Sequence, residues 1–359
     1  MCARVEEADT ARAGASGESV ILSQQGWDEL LLTLDGRMHQ SWRWGELNRR
    51  YGRDVQRVVV ANEFGTAMAQ MLIKRRGPIS TAYVPRGPLI NGDVERLLPE
   101  LFAEITRICR RYRVMILHVE PEMPLDLGVL ANHDRIVTGG YRYTPGRTAI
   151  VPLGDDDELI ARMHASKRRE IRRAERQGIV VEHRRPDNQS IDEFYALMQD
   201  TAARNQIRIN PSSYYRDYLR LAGSNASLMF SLVNGEIAAG LIIGIFGDHA
   251  YYLFGASSTT RRVPGATAYL QFQAMRWART RGCSDYDLWG IPEADPPSLI
   301  GADGEPLRSS GLDDRGLYRF KIELGGERHM YPPIFEIRYR PRLAWAFQQL
   351  KAISHVRPS

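Results

Sequence analysis

A chain of 359 residues, 43% hydrophobic and 25% charged, exceeds one ordinary core and predicts two domains of usual size in a soluble globular protein. Its longest apolar run, Leu241–Ile243 with Ile245 and Phe246 beyond a glycine, is far too short to cross a bilayer. The formal net charge of +5 favours a polyanionic partner, and Cys2, Cys109 and Cys283, spaced for neither zinc nor paired bridges, fit reduced thiols in a cytoplasm.

Residues 1–18 lack an apolar signal core and read as a disordered tail. Gln56–Ala61, Ala67–Ile73, Ser80–Val84 and Val114–Val119 alternate as strands. Before the last of them, Val94–Arg113 places Leu97, Leu101, Ile105 and Ile108 at helical spacing. The second half repeats the order. Leu228–Leu232 and Ala238–Ile245, divided by the turn 234-NGE-236, form a hairpin, and His249–Phe254 is a further strand. A helix at Thr267–Arg281 and a buried strand at Tyr286–Trp289 complete the unit. "YVPRGPL", helix, "LHVEPE" in the first half runs in register with "YLFGASS", helix, "DLWGIPE" in the second. A mixed α+β unit used twice in tandem is the fold this predicts.

Between the repeats, 161-ARMHASKRREIRRAERQG-178 reads as a strongly basic helix stopped by Gly178. It is either a solvated helix face or a phosphate-tracking surface, since arginine forks match phosphate oxygens. Near the C-terminus, 317-LYRFKIELGGE-327 alternates as a strand that carries Lys321 just before a Gly-Gly pair. On its own this lysine fits the wet side of a pleat. The segment 333-PIFEIRYRPRLAWAFQQLKAI-353 reads as a strand followed by an amphipathic helix.

Seven stretches taken together, 40-QSWRWGELNRRYG-52, 83-YVPRGPL-89, 118-HVEPE-122, 166-SKRREIRRAERQG-178, 251-YYLFGASS-258, 285-DYDLWGI-291 and 318-YRFKIELGGE-327, resemble the FemABX family of peptidoglycan-bridge aminoacyltransferases. The resemblance runs from about Ile21 to the C-terminus. It implies two GNAT-type acyltransferase domains, here 19–151 and 152–330, the first completed by 331–359. Some members carry a long helical arm; no stretch here is long enough for one, so the likeness is to compact members.

The chemistry that the resemblance implies is aminolysis: an amine on the stem peptide of a cell-wall precursor attacks the ester carbonyl of an aminoacyl-tRNA. The implied partners are aminoacyl-tRNA and a precursor, either UDP-MurNAc-peptide or lipid II, with a possible peripheral contact at the inner face of the membrane. No cofactor or metal is implied. By this likeness Phe320 stacks on the terminal base, Lys321 stabilises charge at the ester, and Glu120 lies near the acceptor amine. Arg86, Arg204, Arg208, Tyr215, Tyr251 and Tyr252 are candidate substrate contacts, although strand tyrosines also serve as packing. Lys167, Arg168, Arg169, Arg172 and Arg173 are candidates for the tRNA backbone. The family commonly has a lysine where this chain has Asn48, so Arg49 or Arg50 is the candidate substitute. The rival function is acyl-CoA-dependent N-acyl transfer, for which 262-RVPGAT-267 is a near match to a pyrophosphate loop.

Overall fold

Each half of the chain contains hairpin-connected apolar strands followed by a helix that packs on one face of its sheet. The computed structural model describes residues 12–14, 22–130, 136–260, 263–292 and 314–345. The chain separates into residues 1–144 with 331–359, and residues 145–330.

The first unit contains β1 (Arg12–Gly14), α1 (Gln24–Thr33), α2 (Trp42–Arg50), β2 (Asp54–Asn62), β3 (Gly65–Arg76), β4 (Ile79–Pro85) and β5 (Leu89–Gly92). It continues through α3 (Val94–Arg111), β6 (Val114–Glu120) and β7 (Ile136–Thr138), and β15 (Phe335–Arg338) returns to it near the C-terminus. Strands β2, β3 and β4 form an antiparallel meander, and β6 lies parallel to β4. The helix between them, α3, starts where the Asp93 side chain accepts from the Arg96 N–H. Its residues Leu97, Leu98, Leu101, Phe102, Ile105 and Cys109 are fully buried against the sheet, as their helical spacing requires.

The second unit contains β8 (Arg147–Pro152), α4 (Asp156–Arg162), α5 (Ala165–Arg176), β9 (Val180–Arg184), α6 (Asn188–Asn205) and α7 (Ser212–Ala222). Then follow β10 (Ala226–Val233), β11 (Glu236–Phe246), β12 (His249–Ser257), α8 (Ala266–Thr280), β13 (Asp285–Gly290), α9 (Asp314–Glu323) and β14 (Glu327–Met330). Its strand order β9-β10-β11-β12-β13-β8-β14 repeats β1-β2-β3-β4-β6-β15-β7 of the first unit, as tandem duplication predicts. Among the described residues the sheets differ in two ways: β1 is parallel to its neighbour and β9 antiparallel, and β5 pairs with β3 without a counterpart in the second unit.

Within the stretch expected to be a disordered tail, Arg12–Gly14 forms β1, paired in parallel with β2. Two further sequence expectations change. The first is the domain limit at 151: β8 pairs with β13 and β14 in the second sheet, so the units part between Thr144 and Pro145. The second is the strand at 317–327. Asp314–Glu323 is helical, because Lys321 and Leu324 bury one face while Arg319 and Glu323 pair at i,i+4 on another (2.6 Å). The Gly-Gly pair ends this helix. Gly325, at φ +93°, donates to the Ile322 carbonyl (3.0 Å), and Gly326 donates to that of Lys321 (3.3 Å), the double bond of a Schellman cap. A side chain at Gly326 would place its Cβ 2.9 Å from Ala149 of β8. The pair that read as a flexible turn is therefore a helix stop and a close approach. Of the expected C-terminal helix, residues 341–345 are helical and the rest lies outside the described residues.

Candidate active site

The two parallel strand pairs differ in how far they stay together. Strands β4 and β6 stay paired from Ser80↔Val114 to Pro85↔Glu120, with one irregularity between Ser80 and Thr81. Strands β12 and β13 pair only from His249↔Asp285 to Tyr251↔Asp287, although β12 continues to Ser257 and β13 to Gly290. Beyond Asp287 the sheet forks. At the fork β13 bulges against β8, and Trp289 takes φ +66°, a conformation uncommon for a side-chain-bearing residue.

Lys321 reaches this irregular stretch from α9. Its Nζ donates to the carbonyls of Gly290 (2.7 Å) and Trp289 (3.2 Å), and the residue is 4% exposed. Burial pushes its ammonium pKa down to about 8, while the nearby Asp287 carboxylate holds it up. Asp287 itself is buried, and its Oδ1 accepts from the Thr148 hydroxyl and from the Trp289 N–H (2.7 Å). An ammonium has three N–H donors, so two carbonyls leave one for a ligand.

The parallel strand of the first unit also buries a carboxylate, Glu120, which lies further along, at the end of β6, and is 1% exposed. It accepts from the Tyr83 hydroxyl (2.7 Å), from the Thr144 hydroxyl, and from the backbone N–H groups of Tyr143 and Thr144. Burial, then the charge of Glu120, push the Tyr83 phenol well above its ordinary pKa. One pleat away on the same face, His118 lies 3.2 Å from Glu336 of β15. Burial pulls the Glu336 carboxyl upward, but hydrogen bonds from His118 and Arg338 outweigh it and leave the pKa below the usual range. Glu120 is thus a carboxylate with its lone pairs taken, well suited to hold residues 143–144.

Parallel pairing also brings Arg86 beside Glu120 at the ends of β4 and β6. The Arg86 guanidinium is buried over the Tyr331 ring, 3.1 Å from its centroid, and 3.9 Å from Glu122. Arg49, on α2, is partly exposed and faces Glu46 at 3.8 Å. In the second unit Arg204 donates to Ser257 and helps line a cavity of about 330 Å³ with Ser258, Val263, Pro264 and Thr267. Arg208, beyond the end of α6, is exposed away from those lining residues. Tyr251 pairs with Asp287 across the strands and sits edge-on to Trp289.

Several expected contacts sit elsewhere. Tyr215 is a core residue, 1% exposed and edge-packed on Phe194 and Phe254, and burial pushes its hydroxyl up to about 12. Tyr252 points to the other face from Tyr251 and packs on the core beneath α8. Phe320, one residue before Lys321 on a helix, turns away from it and lies under the Lys167 ammonium (5.3 Å), so one ring face is already covered. Lys167 is 9% exposed and holds Glu170 (2.8 Å) and Glu323 (3.7 Å), tying α5 to α9. Arg168 donates to the Met163 carbonyl (2.6 Å) at the end of α4. The solvent-facing stripe of α5 is Arg169, Arg172, Arg173 and Arg176.

Asp287, Thr148, Tyr83 and Thr144 were not among the candidates. For Asp287 a signal existed: an acid inside the otherwise buried strand 285-DYDLWG-290 needs a partner. Thr144 lies in a connecting stretch and Thr148 near the start of β8, and neither is marked by its neighbours.

Residues 161–296 match the family model described as an acetyltransferase (GNAT) domain. Lipid II:glycine glycyltransferase of Staphylococcus aureus is 21% identical, over 80% of this chain and 84% of its own length. A crystal structure of FemX superposes with a TM-score of 0.76 at 19% identity, over 90% of this chain and 98% of that one. The C-terminal domain of a putative lysylphosphatidylglycerol synthetase from Agrobacterium fabrum shares the fold at a TM-score of 0.52 and 15% identity, over 92% and 98%. Along most of its length the chain is thus similar in sequence to a lipid II:glycine glycyltransferase, and it shares the fold of FemX.

Proposed function

We propose that the chain is an aminoacyltransferase that moves an amino acid from aminoacyl-tRNA to an amine of a peptidoglycan precursor. The observation that carries this reading is the buried Lys321 ammonium beside Asp287, held on the carbonyls of Trp289 and Gly290 where the second sheet forks. Aminolysis of an ester needs little more than such a group. The amine nitrogen attacks the ester carbonyl, a C–N bond forms, the C–O bond breaks, and the tRNA hydroxyl leaves with a proton. The third N–H of Lys321 stabilises the oxygen on which charge gathers, in a place where burial strengthens the contact. Trp289 and Tyr251 flank that place. Phe320 takes no part in base stacking and instead fixes the α5–α9 contact.

The exposed arginines of α5 are the tRNA-backbone surface in this reading, and Lys167 and Arg168 are its supports. Replacing Arg169, Arg172, Arg173 and Arg176 by glutamine lowers the salt slope of tRNA binding by roughly 0.7–0.9 for each phosphate that is no longer neutralised. Lys167→Gln lowers the melting temperature and leaves that slope alone. An unchanged slope in the quadruple variant makes the stripe an ordinary solvated face. The function itself is tested by single-turnover amide formation with labelled aminoacyl-tRNA and an amine-bearing precursor, run beside acetyl-CoA. Amide formation from acetyl-CoA alone reassigns the chain to acyl-CoA chemistry, with the cavity at Arg204 and Thr267 as the donor site.

A further inference from the structure

At the opposite end of β4 and β6 from Glu120, the first unit has a cleft of about 300 Å³. Arg75, Arg111 and Arg113 line it with Gly77, Ser80 and Tyr112. Arg75 is oriented by Asp54 (2.7 Å), and its guanidinium lies over the Tyr112 ring (5.3 Å). Arg111 and Arg113 are exposed and form no ion pair among the described residues.

The backbone at Arg113 points the same way. This residue ends α3 in the left-handed region, at φ +52°. At the equivalent place after α8 the second unit has Gly282, at φ +83°. Glycine adopts that conformation without a steric cost and arginine does not. Arg111, in the last turn of α3, offsets the negative end of the helix dipole, but Arg113 lies beyond that turn. The first unit therefore keeps a strained arginine where its duplicate manages with glycine.

Beside the same strand ends, the helical turn 341–345 seats Ala344 on Met115 and Ile116, next to Ile79. Seating Ala344 leaves Leu343 43% and Trp345 63% exposed. Two arginines without acidic partners, Arg111 and Arg113, at a cleft roomy enough for a phosphate, next to an exposed tryptophan and leucine, are what a bilayer surface rich in acidic headgroups recognises. A duplex or single-stranded nucleic acid would use the arginines and leave an exposed leucine without purpose.

We infer that this end of the first unit docks on a membrane surface of anionic phospholipids. Arg111 and Arg113 take headgroup phosphates in the cleft, and Leu343 and Trp345 enter the interface. The measurement is co-sedimentation of the full chain with vesicles of phosphatidylcholine alone or mixed with phosphatidylglycerol, across a salt series. Wild type sediments with the mixed vesicles, and salt releases it. Arg111→Gln with Arg113→Gly weakens that partitioning about tenfold to thirtyfold. Arg113→Gly alone holds or raises the melting temperature, because it relieves the backbone, so its loss of binding cannot be a loss of fold. Trp345→Ser weakens binding without changing its salt dependence. Equal sedimentation with both vesicle types, or of wild type and the double variant, overturns the inference. Arginine-dependent binding of tRNA with no vesicle binding overturns it too, and makes the cleft an RNA surface. No substrate is needed, so the outcome is separate from that of the transfer assay.

Discussion

Each unit buries one carboxylate on the central strand of its sheet, yet the two are finished differently. Glu120 meets a tyrosine hydroxyl, a threonine hydroxyl and backbone N–H groups, all neutral donors. Asp287 meets a threonine hydroxyl and a backbone N–H as well, and each carboxylate has a buried cation near it, Lys321 for Asp287 and Arg86 for Glu120. The difference lies in the sheets. Around Glu120 the strands stay zipped, whereas next to Asp287 they part and free two carbonyls for the lysine. Glu120 fastens residues 143–144, whereas beside Asp287 the parted strands hold an ammonium on two carbonyls. In the function proposed above, it is this fork that gives the second unit its reacting group.

Removing the cation tests this contrast most severely. Lys321→Met is expected to cut kcat/KM by roughly two to three decades in single-turnover assays, the usual scale for one lost transition-state donor. Near-wild-type turnover by this variant would erase the distinction between the units. The lysine also has a pH signature. Its pKa falls from 10.5 to about 8 on folding, so between those values the unfolded chain binds more protons than the folded one. Stability then rises with pH across that window, by up to about 3 kcal/mol, and the gain is absent in Lys321→Met. Activity that depends on the ammonium falls as pH rises through about 8.

Asp287→Asn should act next most strongly, by roughly one to two decades in kcat/KM, because it withdraws the charge that keeps Lys321 protonated. Its fingerprint is the falling limb of the pH–rate profile, which moves to lower pH. A limb that stays near wild type would mean Asp287 only braces the bulge through Trp289.

The first-unit counterpart should move stability and leave the pH profile in place. Glu120→Gln turns an amide N–H₂ toward groups that donate, at a cost of about 1.5–3 kcal/mol, visible in urea melts. Tyr83→Phe loses one of the donors and costs about 1–3 kcal/mol, since an oxygen of Glu120 is left underused. If Glu120→Gln instead shifts the pH–rate profile and leaves the melt untouched, Glu120 is a reacting group after all and the contrast collapses.

The repeat was readable because it is written in local signals. Apolar alternation, the turn at Asn234–Gly235, and the helical spacing of Leu97, Leu101 and Ile105 each stand in a few neighbouring residues. Lys321 was found through likeness, with its local structure misread. Tyr318, Phe320 and Ile322 alternate as in a strand, and they also fall on helical faces against α5 and β8. The glycines at 325 and 326 would have settled it as a helix cap. The fork at Asp287 depends on pairing that β12 and β13 do not make, and no local pattern records an absent hydrogen bond. Lys167 misled for a similar reason. Within a run of basic residues nothing distinguishes the one that Glu323, far along the chain, draws into the interior.

The path of the chain through the two sheets sets an order on their making. All seven strands of the second unit among the described residues come from one unbroken stretch, residues 145–330, so they are all present as soon as that stretch clears the ribosome. The first unit is different. Its strand β6, buried along its whole length, waits for β15, which is translated only after the second unit is complete. During that interval a nascent chain carries an apolar strand with one bare edge, the kind of surface that chaperones guard and neighbouring chains capture. Synthesis halted before Phe335 therefore leaves a second unit able to close and a first unit that is sticky along β6.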